Sequence, residues 1–317
     1  MRDYLFSICI PTWNRSNYLE GLLQTIYTDI ANDNDFQIVI GDNNSDLSTY
    51  KVVEPFLDKL RIKYIRQDEN IGFGGNLIST LDQANGEYCI IIGDDDIFRP
   101  GWLKSIKPLV SDFQPDILIS DRYVCDIDLN VQFSEQCGPK VDMPTLFNCK
   151  DPEIFLNYLS NTFSTSGFGF ISNIIIRSSA WVRSVNSPYV SGHLYTHTIK
   201  VLDILHNFGG KILKVPVESV FARAGNDRLG ELFTKDVGEF DKLILQFEGF
   251  LSAAEFILFN SPIKKAAFLT PLNRIFSSSF RTAFLNMSST SNQRQGAENF
   301  IFQLDRALGS VNLKSPP

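Results

Sequence analysis

The sequence predicts an α/β fold in which a mainly parallel β-sheet is flanked by helices and followed by a C-terminal helical appendage. Short apolar runs alternate with amphipathic segments over the first 120 residues, which is typical of parallel strands buried on both faces. From about Asp236 onward, apolar residues recur only at helical spacing. We therefore predict two regions: residues 1–230, which contain the sheet, and residues 231–317, which are helical.

The first half of the sheet is predicted from four apolar runs that are rich in β-branched side chains. These runs are residues 5–10, 36–40, 62–65 and 88–92. Helical spacing between them predicts helices around Leu22, over residues 52–60 and around Leu77. The alternation of strand and helix favours parallel pairing, because each helix returns the chain to the edge at which the next strand starts.

The second half of the sheet has a less regular pattern. Further strands are expected from the apolar runs at residues 116–120, 170–176 and 211–222. Asp151 followed by Pro152 is typical of a helix start, with the aspartate as the cap. A second helix is expected over residues 197–208, and the glycine at position 209 ends it.

Composition and charge exclude several classes of protein. The 317 residues carry 29 basic and 36 acidic side chains, a net charge of −7, which argues against binding to nucleic acid. The five cysteines are an odd number, and two lie in apolar runs, so we expect buried free thiols and a reducing cytosol. No uncharged apolar run reaches 18 residues, and no signal peptide is visible. We expect a cytoplasmic protein without a membrane span.

Polar side chains follow three of the first four predicted strands. They occupy residues 11–15, residues 42–46 and the acidic turn formed by Gly93, Asp94, Asp95 and Asp96. In parallel α/β sheets, ligands bind beyond the carboxyl ends of the strands. The convergence of three polar strand ends therefore predicts a binding site at this edge of the sheet.

The acidic turn has the chemistry of a metal site. Asp94 and Asp96 are separated by one residue, so their side chains can point to the same side. Carboxylate oxygens are hard ligands that suit Mg²⁺ or Mn²⁺, which often share their coordination with substrate phosphates. The alternative is a solvated acidic turn or a helix cap. Repulsion among three adjacent carboxylates favours the metal site.

Two other loops are candidate binding segments. Asp42 and Asn44 could accept hydrogen bonds from a nucleobase or ribose, although such residues also favour simple turns. The glycine-rich segment from Asn70 to Gly75 precedes a helix and could approach a phosphate or sugar closely. It matches neither the P-loop nor the dinucleotide-binding pattern, so it is a weak signal by itself.

Taken together, these segments resemble family 2 glycosyltransferases with the GT-A fold. The match in order and spacing covers residues 7–15, 38–46, 70–72 and 86–96. The strongest similarity, over about the first 125 residues, is to bacterial enzymes that build O-antigen or capsule repeat units, including abequosyltransferase-like proteins. The resemblance implies transfer of a sugar from a nucleoside-diphosphate sugar to a saccharide acceptor, with Mn²⁺ or Mg²⁺ and with inversion at the anomeric carbon.

The resemblance also implies roles for individual residues. We expect Asp96 and Asp94 to hold the metal ion. We expect the nucleotide sugar to be bound by Pro11, Thr12, Asn14, Arg15, Asp42, Asn44, Asn70, Gly75, Asp94, Asp95 and Arg223. Arg223 or Arg228 would contact the diphosphate from a loop that closes over it; the alternative is a surface turn.

The chain departs from the family pattern where many members carry a Glu-Asp pair that includes the general base. His193 and His197 stand there, four residues apart and on one predicted helical face. His197 could be the base or a metal ligand, since imidazole titrates near neutrality; the alternative is a pair of ordinary polar helix residues. Asp203 is a third candidate catalytic residue, and Asp121 is a fallback carboxylate.

The C-terminal region suggests a further partner. Residues 263–285 place basic side chains among many apolar ones, as in helices that lie on anionic membranes. This pattern would suit a lipid-linked acceptor and peripheral contact with the inner face of the membrane. Packing within a helical bundle, or a homo-oligomer formed through these helices, is the alternative.

Two other functions fit parts of the sequence. A sugar-phosphate nucleotidyltransferase also uses an acidic metal site on an α/β sheet, but a glycine-rich basic loop would be expected after its first strand. This chain has Pro11, Thr12 and Trp13 at that place. A catalytically silent protein that binds nucleotide sugars is the third interpretation, since the Glu-Asp pair is missing.

Overall fold

The computed structural model describes residues 3–162, 164, 166–224, 239–276 and 278–309. In this part of the chain the strands form one mixed sheet. The strands are β1 (Tyr4–Thr12), β2 (Phe36–Asp42), β3 (Ile62–Arg66), β4 (Gly86–Ile91), β5 (Ile97–Phe98), β6 (Ile117–Cys125), β7 (Val131–Glu135), β8 (Thr145–Asn148), β9 (Ile174–Arg177) and β10 (Lys211–Arg223). Their order is β3-β2-β1-β4-β9-β6-β10-β5, with β7 paired to β6 and β8 paired to β10.

Helices cover the sheet and continue past it. Those within the first 224 residues are α1 (Ser16–Ile30), α2 (Leu47–Val53), α3 (Gly72–Asp82), α4 (Trp102–Phe113), α5 (Pro152–Ser160), α6 (Ser166–Gly169), α7 (Ser178–Arg183), α8 (Pro188–Ser191) and α9 (Thr196–His206). The C-terminal helices are α10 (Glu239–Leu258), α11 (Pro262–Phe268), α12 (Thr270–Ile275), α13 (Ser278–Met287) and α14 (Ser291–Gly309).

The α/β fold predicted from the apolar runs is confirmed, and the sheet is mixed. Strands β3, β2, β1 and β4 pair in parallel, as expected from their alternation with helices. Strand β9 then runs antiparallel between β4 and β6, and β10 returns parallel to β6. The carboxyl ends of β1, β2 and β4 therefore lie at one edge, where the three polar segments begin.

The largest differences from the predicted element boundaries concern one strand and one helix. The strand predicted at residues 170–176 is reduced to β9, because Ile174 N–H donates to Ile171 O in a turn before it. The helix predicted at residues 52–60 is largely wrong: α2 begins at Leu47, where the carboxylate of Asp46 accepts from Ser48 N–H and caps it, and ends at Val53. A short 3-10 helix follows at Glu54–Phe56.

The apolar core lies on both faces of the sheet, and the C-terminal helices share it. The ring of Phe250 on α10 stacks on Phe268 of α11 at 4.5 Å, and Phe268 packs against Phe168 at 5.5 Å. Phe250 also contacts Tyr195, just before α9, at 5.9 Å. The helical appendage is thus packed directly on the sheet-bearing region. The boundary predicted near residue 230 lies outside the described residues.

The basic segment at residues 263–285 is divided among three short helices. Five of its described apolar side chains are buried, whereas Ile263 is 57% exposed; the buried ones are Phe268, Leu269, Leu272, Phe276 and Phe284. Phe276 and Phe284 pack against each other and near Phe247 of α10. This packing favours the helical-bundle interpretation, because these apolar side chains already face other helices.

Two expectations about the whole chain can be compared directly with the structure. All five cysteines are free and buried, as predicted from their number and position. Among the described residues, no helix is both long enough and apolar enough to cross a membrane.

Candidate active site

The acidic turn follows β4 and is largely inaccessible to solvent. Asp94 is 4% exposed and Asp96 is 3% exposed. Asp96 N–H donates to Gly93 O at 3.2 Å and closes the turn. A Cβ atom at position 93 would lie 2.8 Å from Asp95 Oδ1, so a larger residue there would displace the Asp95 carboxylate.

The first half of the turn is held by the end of β1. Thr12 Oγ1 donates to Asp94 Oδ2 at 2.7 Å. The guanidinium of Arg15 contacts Asp94 Oδ1 at 3.3 Å and Asp95 Oδ2 at 2.8 Å. Two polar segments that are about 80 residues apart in the chain therefore meet as the sequence predicted. Arg15 neutralises part of the negative charge there.

The second half of the turn is held by two segments from the other half of the sheet. Ser172 Oγ donates to Asp96 Oδ2 and accepts from Gly93 N–H at 2.9 Å. The backbone N–H of Arg223 donates to Asp96 Oδ1 at 3.0 Å, and its Nε donates to Asp95 O at 3.0 Å. Arg223, at the end of β10, therefore lies at the site, whereas Arg228 is outside the described residues.

Burial changes the ionisation of this turn. Loss of hydration, with the charge of Asp95 as the next cause, raises the pKa of Asp94 to about 6. The same two causes raise the pKa of Asp96 to about 8. The pKa of Arg15 is raised by the charges of Asp94 and Asp95, which outweigh its own burial. The turn is thus an anionic site whose charge is incompletely compensated by the protein.

The loop after β2 is organised around a carboxylate that is 0% exposed. Asp42 Oδ1 accepts from Ser45 N–H at 2.8 Å, and Oδ2 accepts from the hydroxyl of Tyr64. Burial and this carboxylate raise the pKa of Tyr64. Asp42 therefore shapes the loop from within, whereas Asn44 is exposed at its surface.

Asn14 and Asn44 have positive φ angles of 52° and 62°, a region in which asparagine is tolerated better than most residues. Asn14 N–H donates to Ser45 Oγ at 2.9 Å, and Asn14 Oδ1 accepts from Asp46 N–H at 2.9 Å. These contacts join the loops that follow β1 and β2. Pro11 precedes them within β1, where it is buried.

The glycine-rich segment is tied to the same edge through Asn43, which the sequence prediction omitted. Asn43 Nδ2 donates to Asn70 Oδ1 at 2.7 Å, and Asn43 Oδ1 accepts from Ile71 N–H at 2.9 Å. Asn43 N–H also donates to Thr12 O at 2.9 Å. Gly75 lies one turn into α3. Asn43 could have been included, because it lies within the polar strand end at residues 42–46.

His197 lies at the start of α9 and is 2% exposed. Its Nε2 is 3.2 Å from Gly169 O, which can only accept, so Nε2 carries the proton. Its Nδ1 is buried and has no hydrogen-bond partner among the residues that the structure describes. Burial lowers the pKa of His197 to about 4, so the ring is neutral at pH 7. Gly169 belongs to the segment that carries Ser172 to the acidic turn.

His193 lies between α8 and α9 and not in a helix, so the prediction that it shares a helical face with His197 is wrong. His193 and Asp203, the other two predicted catalytic residues, are both held by hydrogen bonds to neighbouring segments. His193 Nδ1 accepts from Tyr195 N–H at 2.9 Å, and Nε2 is 2.8 Å from Ser252 Oγ. The carboxylate of Asp203 accepts from Val185 N–H at 2.7 Å and from Asn207 Nδ2 at 2.6 Å. These contacts favour a structural role for both residues.

The fallback carboxylate, Asp121, forms a buried ion pair with Lys214 and also accepts from Cys137 N–H at 2.7 Å.

Besides Asn43, Ser172 is a residue of the site that the sequence analysis does not predict. It falls inside a predicted strand, and no local pattern distinguishes it from other serines.

The sequence model of Glycosyl transferase family 2 matches residues 7–170. Abequosyltransferase RfbV of Salmonella typhimurium is 29% identical over 270 residues, which cover 83% of this chain and 78% of the relative.

Two solved structures show the same fold. Staphylococcus aureus TarS in complex with UDP-GlcNAc matches with a TM-score of 0.67 and 17% identity, over 96% of this chain and 81% of that one. A mannosyltransferase of Pyrobaculum calidifontis, in complex with GDP-Man and Mn²⁺, matches with a TM-score of 0.52 and 14% identity, over 98% and 87%. The family match favours the predicted transferase over a nucleotidyltransferase or a silent binding protein. The chain belongs to glycosyl transferase family 2 and is a glycosyltransferase with the GT-A fold.

Proposed function

We propose that this glycosyltransferase transfers a sugar from a nucleoside-diphosphate donor to a saccharide acceptor during synthesis of a bacterial surface polysaccharide, such as O-antigen or capsule. The observation that carries the proposal is the buried turn at the end of β4, where Asp94 and Asp96 are held by Thr12, Arg15 and Arg223. The similarity to an abequosyltransferase over most of the chain supports the saccharide acceptor.

The donor set of the turn fits a divalent cation, Mn²⁺ or Mg²⁺. Asp94 and Asp96 offer hard carboxylate oxygens, and burial raises the pKa of both, so a cation nearby would stabilise their charged forms. Among the described residues, no group of three or more His, Cys, Asp or Glu side chains is placed to hold a metal. Two carboxylates would therefore share the ion with the diphosphate, as Mg²⁺ sites commonly do. When bound, the cation would neutralise charge on the departing diphosphate.

The rest of the donor site is assigned to the loops at the same edge. We propose that Arg15 and Arg223 contact the diphosphate, because both guanidinium groups lie beside the acidic turn. Pro11, Thr12, Asn14, Asn44, Asn70 and Gly75 would surround the nucleoside. Both carboxylate oxygens of Asp42 accept hydrogen bonds within the protein, so its proposed role is to shape the nucleoside pocket around Tyr64.

We propose His197 as the general base that inversion at the anomeric carbon requires. Of the three predicted catalytic residues, it is the one with a buried acceptor atom, Nδ1, for which the described part of the chain supplies no partner. The hydrogen bond to Gly169 fixes the proton on Nε2 and leaves the lone pair of Nδ1 available. The rings of Phe73 and Tyr195 lie 6.5 Å and 5.9 Å from the His197 ring, so they would be neighbours of an acceptor hydroxyl at Nδ1.

The cellular setting is part of the same proposal. We propose that the enzyme works in the cytosol at the inner face of the membrane, on an acceptor that is lipid-linked. Flotation with anionic vesicles would test the membrane contact, and light scattering would test association through the C-terminal helices. The side chains of Phe268, Leu272 and Phe284 are buried, so they support neither contact with the membrane nor association between copies of the chain.

Asp96→Asn tests the metal site, with the exposed Asp112→Asn on α4 as a control of equal charge change. Thermal-shift screening against UDP, GDP, CDP and dTDP, each with Mn²⁺, should first identify a diphosphate that stabilises the wild type. We expect Asp96→Asn to lower Mn²⁺-dependent hydrolysis of the matching nucleotide sugar by about 10²–10³-fold. If Asp96→Asn hydrolyses the nucleotide sugar as fast as the wild type does, the acidic turn is not part of the active site.

A further inference from the structure

Ser172 links the two ends of the acidic turn. Its hydroxyl accepts from Gly93 N–H at 2.9 Å and donates to Asp96 Oδ2. Gly93 N–H can only donate, and the ionised carboxylate of Asp96 can only accept, so in that form the single hydroxyl proton of Ser172 is directed to Asp96. Ser172 is itself buried. One side chain therefore closes the turn and orients the carboxylate at its end.

The second oxygen of Asp96 is held from another direction. Arg223 N–H, at the end of β10, donates to Asp96 Oδ1 at 3.0 Å. Two donors on separate elements thus define the plane of the Asp96 carboxylate. Each carboxylate oxygen keeps further lone-pair capacity, so these bonds orient Asp96 without exhausting its ability to bind a cation.

The segment that carries Ser172 is anchored on both sides. Asn173 Nδ2 donates to Ser120 O at 3.1 Å, which ties the segment to β6. The carbonyls of Gly169 and Phe168 accept from His197 Nε2 at 3.2 Å and from Thr198 Oγ1 at 2.7 Å, which ties it to α9. Because its neighbours are held in this way, the position of Ser172 is determined before any ligand arrives.

The partners of Asp96 differ in kind from those of the other two carboxylates. Asp94 and Asp95 contact the guanidinium of Arg15. The hydrogen bonds to Asp96 found among the described residues come from two neutral donors, the Ser172 hydroxyl and the Arg223 backbone. A carboxylate that is 3% exposed and oriented by neutral donors is suited to receive a cation.

We propose that Ser172 is a positioning residue that orients the Asp96 carboxylate for a divalent cation. The proposal rests on the proposed function, because it assumes that Asp96 binds that cation together with a nucleoside diphosphate. Partners that orient a metal ligand typically contribute 10–100-fold to metal affinity. Loss of the Ser172 hydroxyl should therefore weaken cation binding while the metal-free protein keeps its fold.

The test is a titration of the full chain with Mn²⁺ in the presence of UDP, GDP, CDP or dTDP. Free Mn²⁺ is measured by electron paramagnetic resonance at each step. Ser172→Ala is compared with Ser111→Ala, the same change at an exposed position of α4. We expect Ser172→Ala to weaken Mn²⁺ binding by about 10-fold or more, with little change in Tm and no change at Ser111. Ser172→Thr, which keeps the hydroxyl, should retain most of the affinity.

The outcomes separate this inference from the function on which it rests. If the wild type binds no Mn²⁺ with any of the four diphosphates, the proposed metal site itself fails. If the wild type binds Mn²⁺ and Ser172→Ala binds it equally well, only the role of Ser172 is overturned. A third outcome would show that the role of Ser172 is purely structural. In that outcome Ser172→Ala lowers both Tm and metal-free diphosphate binding, and Ser172→Thr is equally impaired.

Discussion

Asp94, Asp95 and Asp96 lie in one turn, yet their carboxylates are held by different partners. Arg15 bridges Asp94 and Asp95, whereas a serine hydroxyl and a backbone N–H orient Asp96. Burial accounts for the raised pKa of Asp94 and Asp96. At the scale of the residue, the chemistry of the site therefore depends on which neutral and charged neighbours the fold brings to each carboxylate.

The base assignment can be tested at a single atom. In His197→Gln, the side-chain amide can replace Nε2 as the donor to Gly169 O, but no basic nitrogen remains at Nδ1. We expect donor binding with Mn²⁺ to be preserved and turnover to fall by about 10²–10⁴-fold. Turnover can be measured as slow donor hydrolysis, in which water replaces the acceptor hydroxyl.

The pH dependence of the wild type provides a second readout of the same assignment. Burial lowers the pKa of His197 to about 4, so the ring stays unprotonated as the pH falls from 9 to near 5. His197 should therefore cause no loss of rate near pH 6.5, the usual pKa of imidazole.

For the His197→Gln variant, His193→Gln is the matched control. Full turnover in His197→Gln would assign the base to another group.

At the scale of the element, the donor edge depends on close packing between α3 and β2. Gly41 lies directly before Asp42 at the end of β2. Asn76 Nδ2 of α3 donates to the carbonyl oxygen of Gly41 at 2.8 Å. An added Cβ at position 41 would lie 1.9 Å from Thr80 Oγ1. The glycine therefore allows the helix to approach the strand that carries the nucleoside loop.

Gly41→Ala should destabilise the protein by about 1–3 kcal/mol, because the new methyl overlaps the Thr80 hydroxyl. Replacing Thr80 by Ala as well removes that oxygen, so the double variant should recover part of the loss. Urea unfolding of the two single variants and the double variant gives the coupling free energy between the sites. Additive effects of the two substitutions would contradict the predicted overlap.

At the scale of the whole molecule, the C-terminal helices and the sheet share one core. Phe268 on α11 contacts Phe168, beside the segment of Ser172, and Phe250 on α10. Gly249 leaves room for the Tyr195 ring, since a Cβ there would lie 2.8 Å from it. The helices therefore support the start of α9, where His197 lies, as well as covering the sheet.

This shared core predicts cooperative unfolding of both regions. Phe268→Ala should cost about 3–5 kcal/mol, and near-UV and far-UV circular dichroism should report one common transition. Phe259→Ala, at a position that is 69% exposed, is the matched control and should change stability by less than about 0.5 kcal/mol. Two separate transitions, with only one shifted by Phe268→Ala, would indicate independent domains on either side of residue 230.

Much of the donor half of the site could be read from local patterns. The apolar runs specify the strands, and a parallel arrangement brings their carboxyl ends together. Thr12, Arg15 and Asp94 are therefore expected at one edge, and both Thr12 and Arg15 donate hydrogen bonds to Asp94. These predictions succeed because period, turn chemistry and strand direction are encoded within short segments.

The partners of Asp96 and the settings of the histidines depend on packing between distant segments. Ser172 and Arg223 are 76 and 127 residues from Asp96 in the chain, and both approach it from the second half of the sheet, where parallel and antiparallel strands are mixed. The spacing of His193 and His197 predicts a shared helical face, but the helix begins only at Thr196, so His193 precedes it. His193 contacts Ser252 of α10, whereas His197 contacts Gly169. Such non-local contacts follow from how helices and strands fill the core, which no short pattern contains.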